Sequence, residues 1–245
     1  MRGLTLTDAL LGPVLLDDAA APLITHYDDD AGTRIELSGA TVANWAAKTA
    51  NWLRDELDVA PGDRVAVLLP PHWQTVGVLL GAWWCGAVIS ADATGAVAAL
   101  GSVDRLAELG GADEIAAVSL DALGAGLRDL PDGVRDHASE ARVHGDLFRP
   151  VPVDESAPAT PSATVAELVA AVAARAAALG LVSGDRVLCT GAWGADGDPL
   201  LPVLAARAAL VQCTGAVPSD LATRCAQERV TASFDVAVDG VRTVR

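Results

Sequence analysis

Two short polar segments hold the side chains that are best suited to binding a ligand. Each follows an apolar run, and each contains a tryptophan whose ring can stack on a planar or apolar group. The first also has a histidine, which exchanges protons near neutral pH, and the second is rich in glycine, which lets a ligand approach the backbone. The candidate ligand-binding residues are His72, Trp73, Gly191, Trp193, Gly194 and Asp196.

The glycines of the second segment, Gly191, Gly194 and Gly197, repeat at a spacing that superficially resembles a phosphate loop. The spacing departs from G-x-G-x-x-G, and the segment carries two aspartates, so anion binding there would need a metal ion. A glycine-rich surface loop is the favoured interpretation, and a nucleotide-binding loop is the alternative.

The sequence assigns no catalytic residue and no metal ligand. His72 could act as a general base, but no acid or nucleophile has a sequence position that places it nearby. The other histidines, His26, His137 and His144, are too scattered for a metal site, and the aspartates at 28–30 lack the spacing of a calcium loop. No G-x-S-x-G sequence occurs, which argues against an α/β-hydrolase.

The hydrophobic pattern around these segments predicts alternating helices and strands. Residues 23–27 and 33–37 flank an acidic turn and predict a hairpin, while apolar residues recur every three or four positions in 38–57, as in an amphipathic helix. Further strands are predicted at 65–69, 87–90, 114–120 and 141–147, and further helices at 76–84 and 103–109.

The second part of the chain repeats the first. Gly-Asp-Arg-Val occurs at 62–65 and again at 184–187, each time after a helical pattern and before an apolar strand. The next strands are predicted at 87–90 and 209–213, with a further strand at 232–238. We therefore expect an α/β fold with two similar βαβ halves, mostly parallel sheets and helices on both faces. The halves are residues 1–150 and 151–245, packed as one compact unit.

Composition argues against two classes of partner. The formal net charge of −15 repels nucleic acid and anionic lipid surfaces. The longest apolar stretch, 76–91, is too short to cross a bilayer and is broken by glycines. The four cysteines form no C-x-x-C pair, which indicates reduced thiols, and no secretion signal is evident. These features predict a cytoplasmic protein that neither binds nucleic acid nor inserts into a membrane.

Several short sequences, in this order, resemble the start of the AMP-binding, adenylate-forming enzymes, which include acyl-CoA synthetases. They are I-E-L at 35–37, a helix, V-A-P-G-D-R-V-A-V-L-L-P at 59–70 and G-A-V-I at 86–89. Residues 179–214 resemble the part that follows the phosphate loop of those enzymes. The chain is also similar to short actinobacterial proteins distantly related to that superfamily. The resemblance implies the fold of the first part of the adenylate-forming N-terminal domain.

The chain departs from the superfamily where the phosphate loop is expected. Residues 157–164 read A-P-A-T-P-S-A-T, without glycine or lysine, and proline has no amide hydrogen to donate to a phosphate. The aromatic-Gly-x-Thr-Glu motif, the ribose-binding aspartate and the C-terminal catalytic lysine of the superfamily are expected beyond residue 245. The resemblance therefore transfers no catalytic residue and implies no cofactor, with AMP or ATP as the alternative.

Three functions remain open from the sequence. The first is a non-catalytic relative of the AMP-dependent synthetases that binds a nucleotide or an acyl ligand. The second is a structural or regulatory interaction protein, a homodimer or a chain whose exposed apolar surface is covered by a partner protein. The third is an adenylating enzyme that a partner chain completes.

Overall fold

The computed structural model describes residues 4–194, 197–216 and 221–245 and contains helices and mostly parallel strands. The helices are α1 Leu6–Asp18, α2 Gly39–Glu56, α3 Trp73–Trp84, α4 His137–Ala141, α5 Val165–Ala178, α6 Leu200–Ala205 and α7 Leu221–Glu228, with a 3₁₀ helix at Val103–Leu109. The strands are β1 Pro22–Asp28, β2 Thr33–Ser38, β3 Arg64–Leu68, β4 Val88–Ser90, β5 Ala98–Gly101, β6 Glu114–Ala117, β7 Val134–Asp136, β8 Pro158–Thr160, β9 Ala163–Thr164, β10 Arg186–Cys189, β11 Ala209–Thr214, β12 Ala232–Phe234 and β13 Arg242–Val244. The predicted α/β class is confirmed.

The described residues form two compact units, each with its own main sheet. The first unit comprises those within 1–9, 41–70 and 74–168, and the second those within 10–40, 71–73 and 169–245. The first sheet is parallel throughout, in the order β4-β3-β5-β6-β7. The second has the order β13-β12-β10-β11-β1-β2 and is parallel except for the β1–β2 hairpin. Strands β8 and β9 form a small hairpin in the first unit.

The repeated Gly-Asp-Arg-Val sequence makes the same turn in both units. Gly62 and Gly184 have φ angles of +92° and +86°, which glycine adopts without steric cost. The Asp63 and Asp185 carboxylates each accept a hydrogen bond from the amide three residues earlier, at 2.8 and 3.0 Å. Each following strand then lies between the next two parallel strands of the chain: β3 between β4 and β5, and β10 between β11 and β12. The sequence repeat is therefore a repeat of structure.

Helices α2 and α3 approach each other closely in the first unit because α3 carries glycines at the contact. A Cβ atom added to Gly81 would lie 2.7 Å from the Thr49 Cβ and 2.8 Å from the Ala46 carbonyl oxygen. Buried apolar residues of α2, among them Trp52 and Leu53, complete this side of the core. The predicted amphipathic helix at 38–57 is confirmed.

The hairpin at 22–38, which the sequence places in the first half of the chain, belongs to the sheet of the second unit. Strand β1 pairs in parallel with β11, from Ile24 opposite Leu210 to Asp28 opposite Thr214. A strand far along the sequence is the hydrogen-bonding partner of β1, so no pattern near residues 22–38 identifies it.

The strand predicted at 141–147 is wrong. Helix α4 ends at Ala141, and the backbone then turns, because side chains of α2 bind its carbonyl groups. Lys48 Nζ donates to the carbonyls of Arg142 and His144 at 3.1 and 2.7 Å, and Asn51 Nδ2 donates to those of residues 145 and 147 at 3.0 Å each. A backbone held in this way by side chains does not enter a sheet.

The cysteines and helices agree with the expectations from composition. All four cysteines are free and buried. Within the three described ranges, every helix falls short of the length and apolarity that crossing a membrane requires.

Candidate functional site

A row of buried polar side chains crosses the second sheet near the carboxyl ends of its strands. Cys189 on β10 pairs with Gln212 on β11, which pairs with His26 on β1. Paired residues of parallel strands point to the same face, so the three side chains lie side by side. All three are buried. The preceding row on this face is Val187, Leu210 and Ile24, so the face changes from apolar to polar towards its carboxyl end, where open α/β sheets bind ligands.

Gln212 fixes the loop that follows β10. Its Oε1 accepts a hydrogen bond from Trp193 Nε1 at 2.8 Å, and its Nε2 donates to the carbonyl oxygens of Gly191 and Cys213 at 3.1 Å each. The Cys189 thiol also lies 3.7 Å from the Gly191 carbonyl oxygen. The loop therefore rests on the buried polar row through its backbone and through the indole nitrogen.

The predicted loop residues lie at the surface above this row. Gly191 and Gly194 are exposed, and Trp193 is half-buried, with its N–H directed inward. The Gly194 amide donates to the Asp198 carbonyl oxygen at 2.8 Å, and the Asp198 carboxylate forms an ion pair with Arg175 at 2.8 Å. Trp193 therefore presents part of its ring outward from a loop that hydrogen bonds hold at both ends.

Burial favours the neutral form of His26, and its hydrogen bond with Thr214 assigns its tautomer. Its Nε2 lies 3.1 Å from Thr214 Oγ1, whose hydroxyl donates to the Tyr27 carbonyl oxygen at 3.1 Å. Since that hydroxyl has only one proton, His26 Nε2 is the donor to Thr214. Burial lowers the pKa of His26 below its usual value, against a smaller opposing effect of the carboxylates of Asp28 and Asp29.

His72 and Trp73 lie beside His26 in the same unit. The rings of His72 and His26 meet edge to face with their centroids 4.4 Å apart, and the Trp73 ring lies 5.6 Å from that of His72. Both residues are buried, Trp73 with only 4% of its surface exposed. Trp73 thus forms part of the interior, and its predicted role in ligand binding stays a prediction.

Two residues that were not predicted from the sequence, His26 and Gln212, connect the two predicted segments. His72 contacts His26, Trp193 contacts Gln212, and His26 and Gln212 are neighbours across two strands. Asp196, which was also predicted, lies outside the described residues. One signal for Gln212 was available, since it is the lone amide in the apolar run 209–213.

The row offers binding groups but no activated nucleophile. Burial raises the pKa of the Cys189 thiol to about 11, so the sulfur stays protonated at neutral pH. In the described parts of the chain, histidines, cysteines and carboxylates form no group of three or more that could hold a metal ion. The arrangement can accept hydrogen bonds and pack against a ring or chain.

The segment at 157–164 forms the β8–β9 hairpin and the start of helix α5. The Thr164 amide and hydroxyl both donate to the Glu167 carboxylate at 2.9 Å, and Thr164 Oγ1 accepts from the Glu167 amide at 3.2 Å. The next two amides, of Val165 and Ala166, donate to main-chain carbonyl oxygens at 2.9 Å. The amide hydrogens at the amino terminus of α5 are therefore bound by groups of the chain itself.

A separate cavity of about 290 Å³ opens at the amino ends of β10 and β11 in the second unit. Its rim includes Arg207 and Asp17, which pair with each other at 2.8 Å. This is the end of the sheet opposite the polar row, and open α/β sheets bind their ligands at the carboxyl ends. We therefore place the candidate site at the polar row, although the cavity lies elsewhere.

Comparison with known proteins gives matches in sequence and in structure. Residues 19–95 match the family model of the AMP-binding enzymes. The chain is 48% identical over 237 residues to a TIGR03089 family protein of Mycobacterium tuberculosis, in an alignment that covers 93% of this chain and 97% of the relative.

Three similar solved structures are CoA synthetases or ligases of low sequence identity. An acyl-CoA synthetase of Brucella canis has a TM-score of 0.79 and 19% identity, and the match covers 95% of this chain and 48% of that one. An anthranilate CoA ligase in complex with anthranoyl-AMP has a TM-score of 0.76 and 15% identity, covering 96% and 50%. An acetoacetyl-CoA synthetase of Streptomyces lividans has a TM-score of 0.75 and 19% identity, covering 94% and 42%. The chain thus spans about half the length of these structures.

Proposed function

This chain belongs to the TIGR03089 family and has the fold of the N-terminal domain of adenylate-forming enzymes, and from this we propose that it is a non-catalytic relative that binds an acyl or nucleotide ligand without adenylating it. The ligand would lie at the carboxyl ends of β1, β10 and β11, over the buried polar row. His72, Gly191, Trp193 and Gly194 would surround it.

The capped amino terminus of α5 is the observation that carries this proposal. A helix amino terminus binds phosphate through free amide hydrogens and the positive end of its dipole. Here the Glu167 carboxylate accepts hydrogen bonds from both the amide and the hydroxyl of Thr164. The bond from the Thr164 amide lowers the pKa of Glu167, which therefore stays anionic and repels a triphosphate. This is the position at which the resemblance predicts the phosphate loop.

The lysine content of the chain supports the same conclusion. Lys48, in helix α2, is the only lysine in the sequence. Its ammonium group forms an ion pair with Asp146 at 2.6 Å and donates to two main-chain carbonyls. Because a carboxylate and two carbonyl oxygens bind this ammonium group, its three N–H donors are engaged and it is not available to a transferring phosphoryl group.

The chemistry of the polar row favours an uncharged group over a phosphate. Trp193 offers a ring, and its N–H is already bonded to Gln212. Arg175 contacts the loop, but its guanidinium group is bound by the Asp198 carboxylate. An acyl chain, an aromatic acyl group or an adenine ring would pack against the indole.

A thermal-shift series tests the proposal directly. The series contains AMP, ATP, CoA, acyl-CoAs, and aliphatic and aromatic carboxylic acids with their amides. A ligand at ~100 times its Kd stabilises the folded chain by about 2.7 kcal/mol, which raises the Tm by about 5 to 10 °C at this chain length. Trp193→Ala should abolish the shift, and Trp45→Ala, at a half-buried indole of α2, should keep it. Absence of any shift across the series would refute ligand binding.

Pyrophosphate exchange into ATP tests the non-catalytic half of the proposal. With Mg²⁺ and the same acids, we expect no exchange above the protein-free rate. Exchange that persists in the purified chain would show an adenylating enzyme. Exchange that appears only after a partner chain is added would favour the enzyme that a partner completes.

A second candidate, an interaction protein, is favoured by two exposed apolar side chains on a fixed loop. Val143 and Leu147 are 83% and 88% exposed, although Lys48 and Asn51 hold the backbone between them. An ordered turn with apolar side chains in solvent suits a contact with a second copy of the chain. Light scattering at micromolar concentration checks this, and a monomer whose mass stays constant on dilution would argue against it.

A further inference from the structure

We infer that Gln212 is the positioning residue of the candidate site, fixing the Trp193 indole and the Gly191 carbonyl in the geometry that a ligand would meet. What this positioning means for ligand binding rests on the proposed function. Its structural part concerns the Gln212 amide and the loop, and can be measured without a ligand.

The Gln212 amide uses its whole donor capacity to make these contacts. A glutamine amide has two N–H groups and one carbonyl oxygen. Both N–H groups donate, to the Gly191 and Cys213 carbonyls, and the oxygen accepts from Trp193. Exchanging the amide oxygen and nitrogen would place two donors, Nε2 and the indole N–H, against each other, so the contacts fix the orientation of the amide as well.

The position of Gln212 indicates that the amide serves the loop. Gln212 is 1% exposed, and the preceding residues of its own strand, Leu210 and Val211, are apolar. Burying an amide costs free energy unless hydrogen bonds compensate it, so an apolar side chain would suit the strand itself at least as well. Two of the three bonding partners of the amide, Gly191 and Trp193, belong to the loop.

The indole of Trp193 has two faces and an edge, and Gln212 determines which part reaches solvent. With its N–H bonded to Gln212, the half-buried ring has only carbon atoms left to offer a ligand. Without Gln212 the indole N–H would lose its buried acceptor. We then expect the ring to turn outward so that the N–H can bind water. A ligand that packs on the ring would then lose its surface, although Trp193 itself would be present.

Fluorescence of Trp193 tests the structural part. The contribution of Trp193 is the difference between each protein and the same protein carrying Trp193→Phe. In Gln212→Met we expect this contribution to shift to longer wavelength and its acrylamide quenching constant to rise about twofold, because the indole gains contact with water. Gln74→Met is the matched control, since Gln74 is a buried amide of the first unit that donates to Ser119 and Asp121. It should leave the Trp193 contribution unchanged.

Gln212→Glu adds a pH profile that a general loss of stability would not produce. The ionised carboxylate still accepts from the Trp193 N–H, but it has no hydrogen to donate and repels the Gly191 and Cys213 carbonyls, so at high pH the Trp193 contribution should lie between those of the unsubstituted protein and Gln212→Met. Burial raises the pKa of such a carboxyl group. As the pH falls through that pKa, one donor returns, and the Trp193 contribution should move back towards that of the unsubstituted protein. A Trp193 contribution identical in all Gln212 variants overturns the inference.

The ligand series separates this inference from the proposed function. If an acyl-CoA raises the Tm equally in Gln212→Met and in the unsubstituted protein, Gln212 does not position the site, and ligand binding stands. If no ligand raises the Tm but the fluorescence changes as described, the positioning of Trp193 stands, and the proposed function fails.

Discussion

At the residue scale, burial sets the protonation state of His137 in the first unit. The His137 Nε2 lies 2.9 Å from Thr49 Oγ1, and the ring meets that of Trp52 edge to face. Burial lowers the pKa of His137 to about 4, against a smaller opposing effect of the carboxylates of Asp136 and Glu140. The ring is therefore neutral in the folded chain at neutral pH.

The neutral His137 predicts a specific loss of stability in acid. In the unfolded chain this histidine binds a proton near pH 6.5, whereas the folded chain resists protonation until about pH 4. The free energy of unfolding should therefore fall by up to about 3 kcal/mol between these pH values. His137→Gln should remove that part of the pH dependence in urea titrations at pH 7 and pH 4.5, whereas His144→Gln, at a half-buried histidine of the same unit, should keep it. If His137→Gln and His144→Gln lose the same free energy of unfolding between pH 7 and pH 4.5, the assignment is wrong.

A carboxylate of the second unit also makes stability fall in acid, but it acts as a charged group and at lower pH. Glu228 accepts hydrogen bonds from Arg34 at 2.7 Å, Arg186 at 3.0 Å and the Tyr27 hydroxyl at 2.5 Å. The bond from Arg34 is the main reason why the pKa of Glu228 is lowered to about 2. The stabilisation is therefore present above pH 4.5 and is lost as the pH falls towards 2.

Glu228→Gln should destabilise the chain at pH 7 by about 2 kcal/mol, because it removes one carboxylate charge from the guanidinium groups of Arg34 and Arg186, which then share only that of Glu36. This value is below that of a fully buried pair, since Arg34 is 41% exposed. The difference between Glu228→Gln and the unsubstituted protein should narrow in denaturant titrations as the pH is lowered to 3. Glu56→Gln, at a half-exposed carboxylate that pairs with Arg135 at 3.4 Å, should change stability by less than about 1 kcal/mol.

Individual site residues were only partly predictable. Trp193 and Gly191 are candidates from the sequence because tryptophan and glycine in a polar segment after a strand are conspicuous, and their role in binding stays a prediction. His26 and Gln212 were missed, because their significance comes from the pairing of β1 with β11, which are far apart in the sequence. Glu167 was missed, although Thr164 and Glu167 have the spacing of a capping box.

At the element scale, the close contact of α2 with α3 depends on a missing side chain. Gly81→Ala should destabilise the chain by about 1 to 3 kcal/mol, because the new methyl group meets the Ala46 carbonyl oxygen, which the backbone of α2 holds in place. Gly12→Ala, in helix α1, is the control, since a Cβ there has no atom within 4 Å. It should change stability by less than about 1 kcal/mol, because the higher helix propensity of alanine is opposed by the clash of its Cβ with the ring of the following Pro13. Thermal unfolding of both variants checks the prediction, which fails if their Tm values move together.

The sequence predicted most of the regular elements and missed those whose signal is weak. Strand β5 Ala98–Gly101 lies between β3 and β6 and is completely buried, yet it contains three small residues and no β-branched one. Its position is decided by the close approach of its neighbours, for example Leu109 against Gly101. Residues 141–147 carry an alternating pattern, but the side chains of Lys48 and Asn51 override it.

At the scale of the whole molecule, the sequence repeat explains why four strands follow the same order in both sheets. The order β4-β3-β5-β6 in the first sheet corresponds to β11-β10-β12-β13 in the second. The second sheet then adds β1 and β2 beyond β11, and this addition brings His26 beside Gln212. The candidate site therefore lies where the second unit departs from the repeat. The repeat could be found in the sequence, but this added pairing could not.

The single lysine makes the chain a reporter of its own local opening. Lys48 is 21% exposed, and its ammonium group is held by Asp146 and two carbonyls, so an amine-reactive ester should acylate it slowly in the folded chain. Asn51→Ala removes the neighbouring bonds to the 142–147 turn and should speed acylation of Lys48, as peptide mass spectrometry would measure. The prediction fails if Lys48 reacts as fast in the native chain as in urea. Because no second ε-amine competes, the ratio of the Lys48 acylation rate in the folded chain to that in urea gives the fraction of time that this turn spends open.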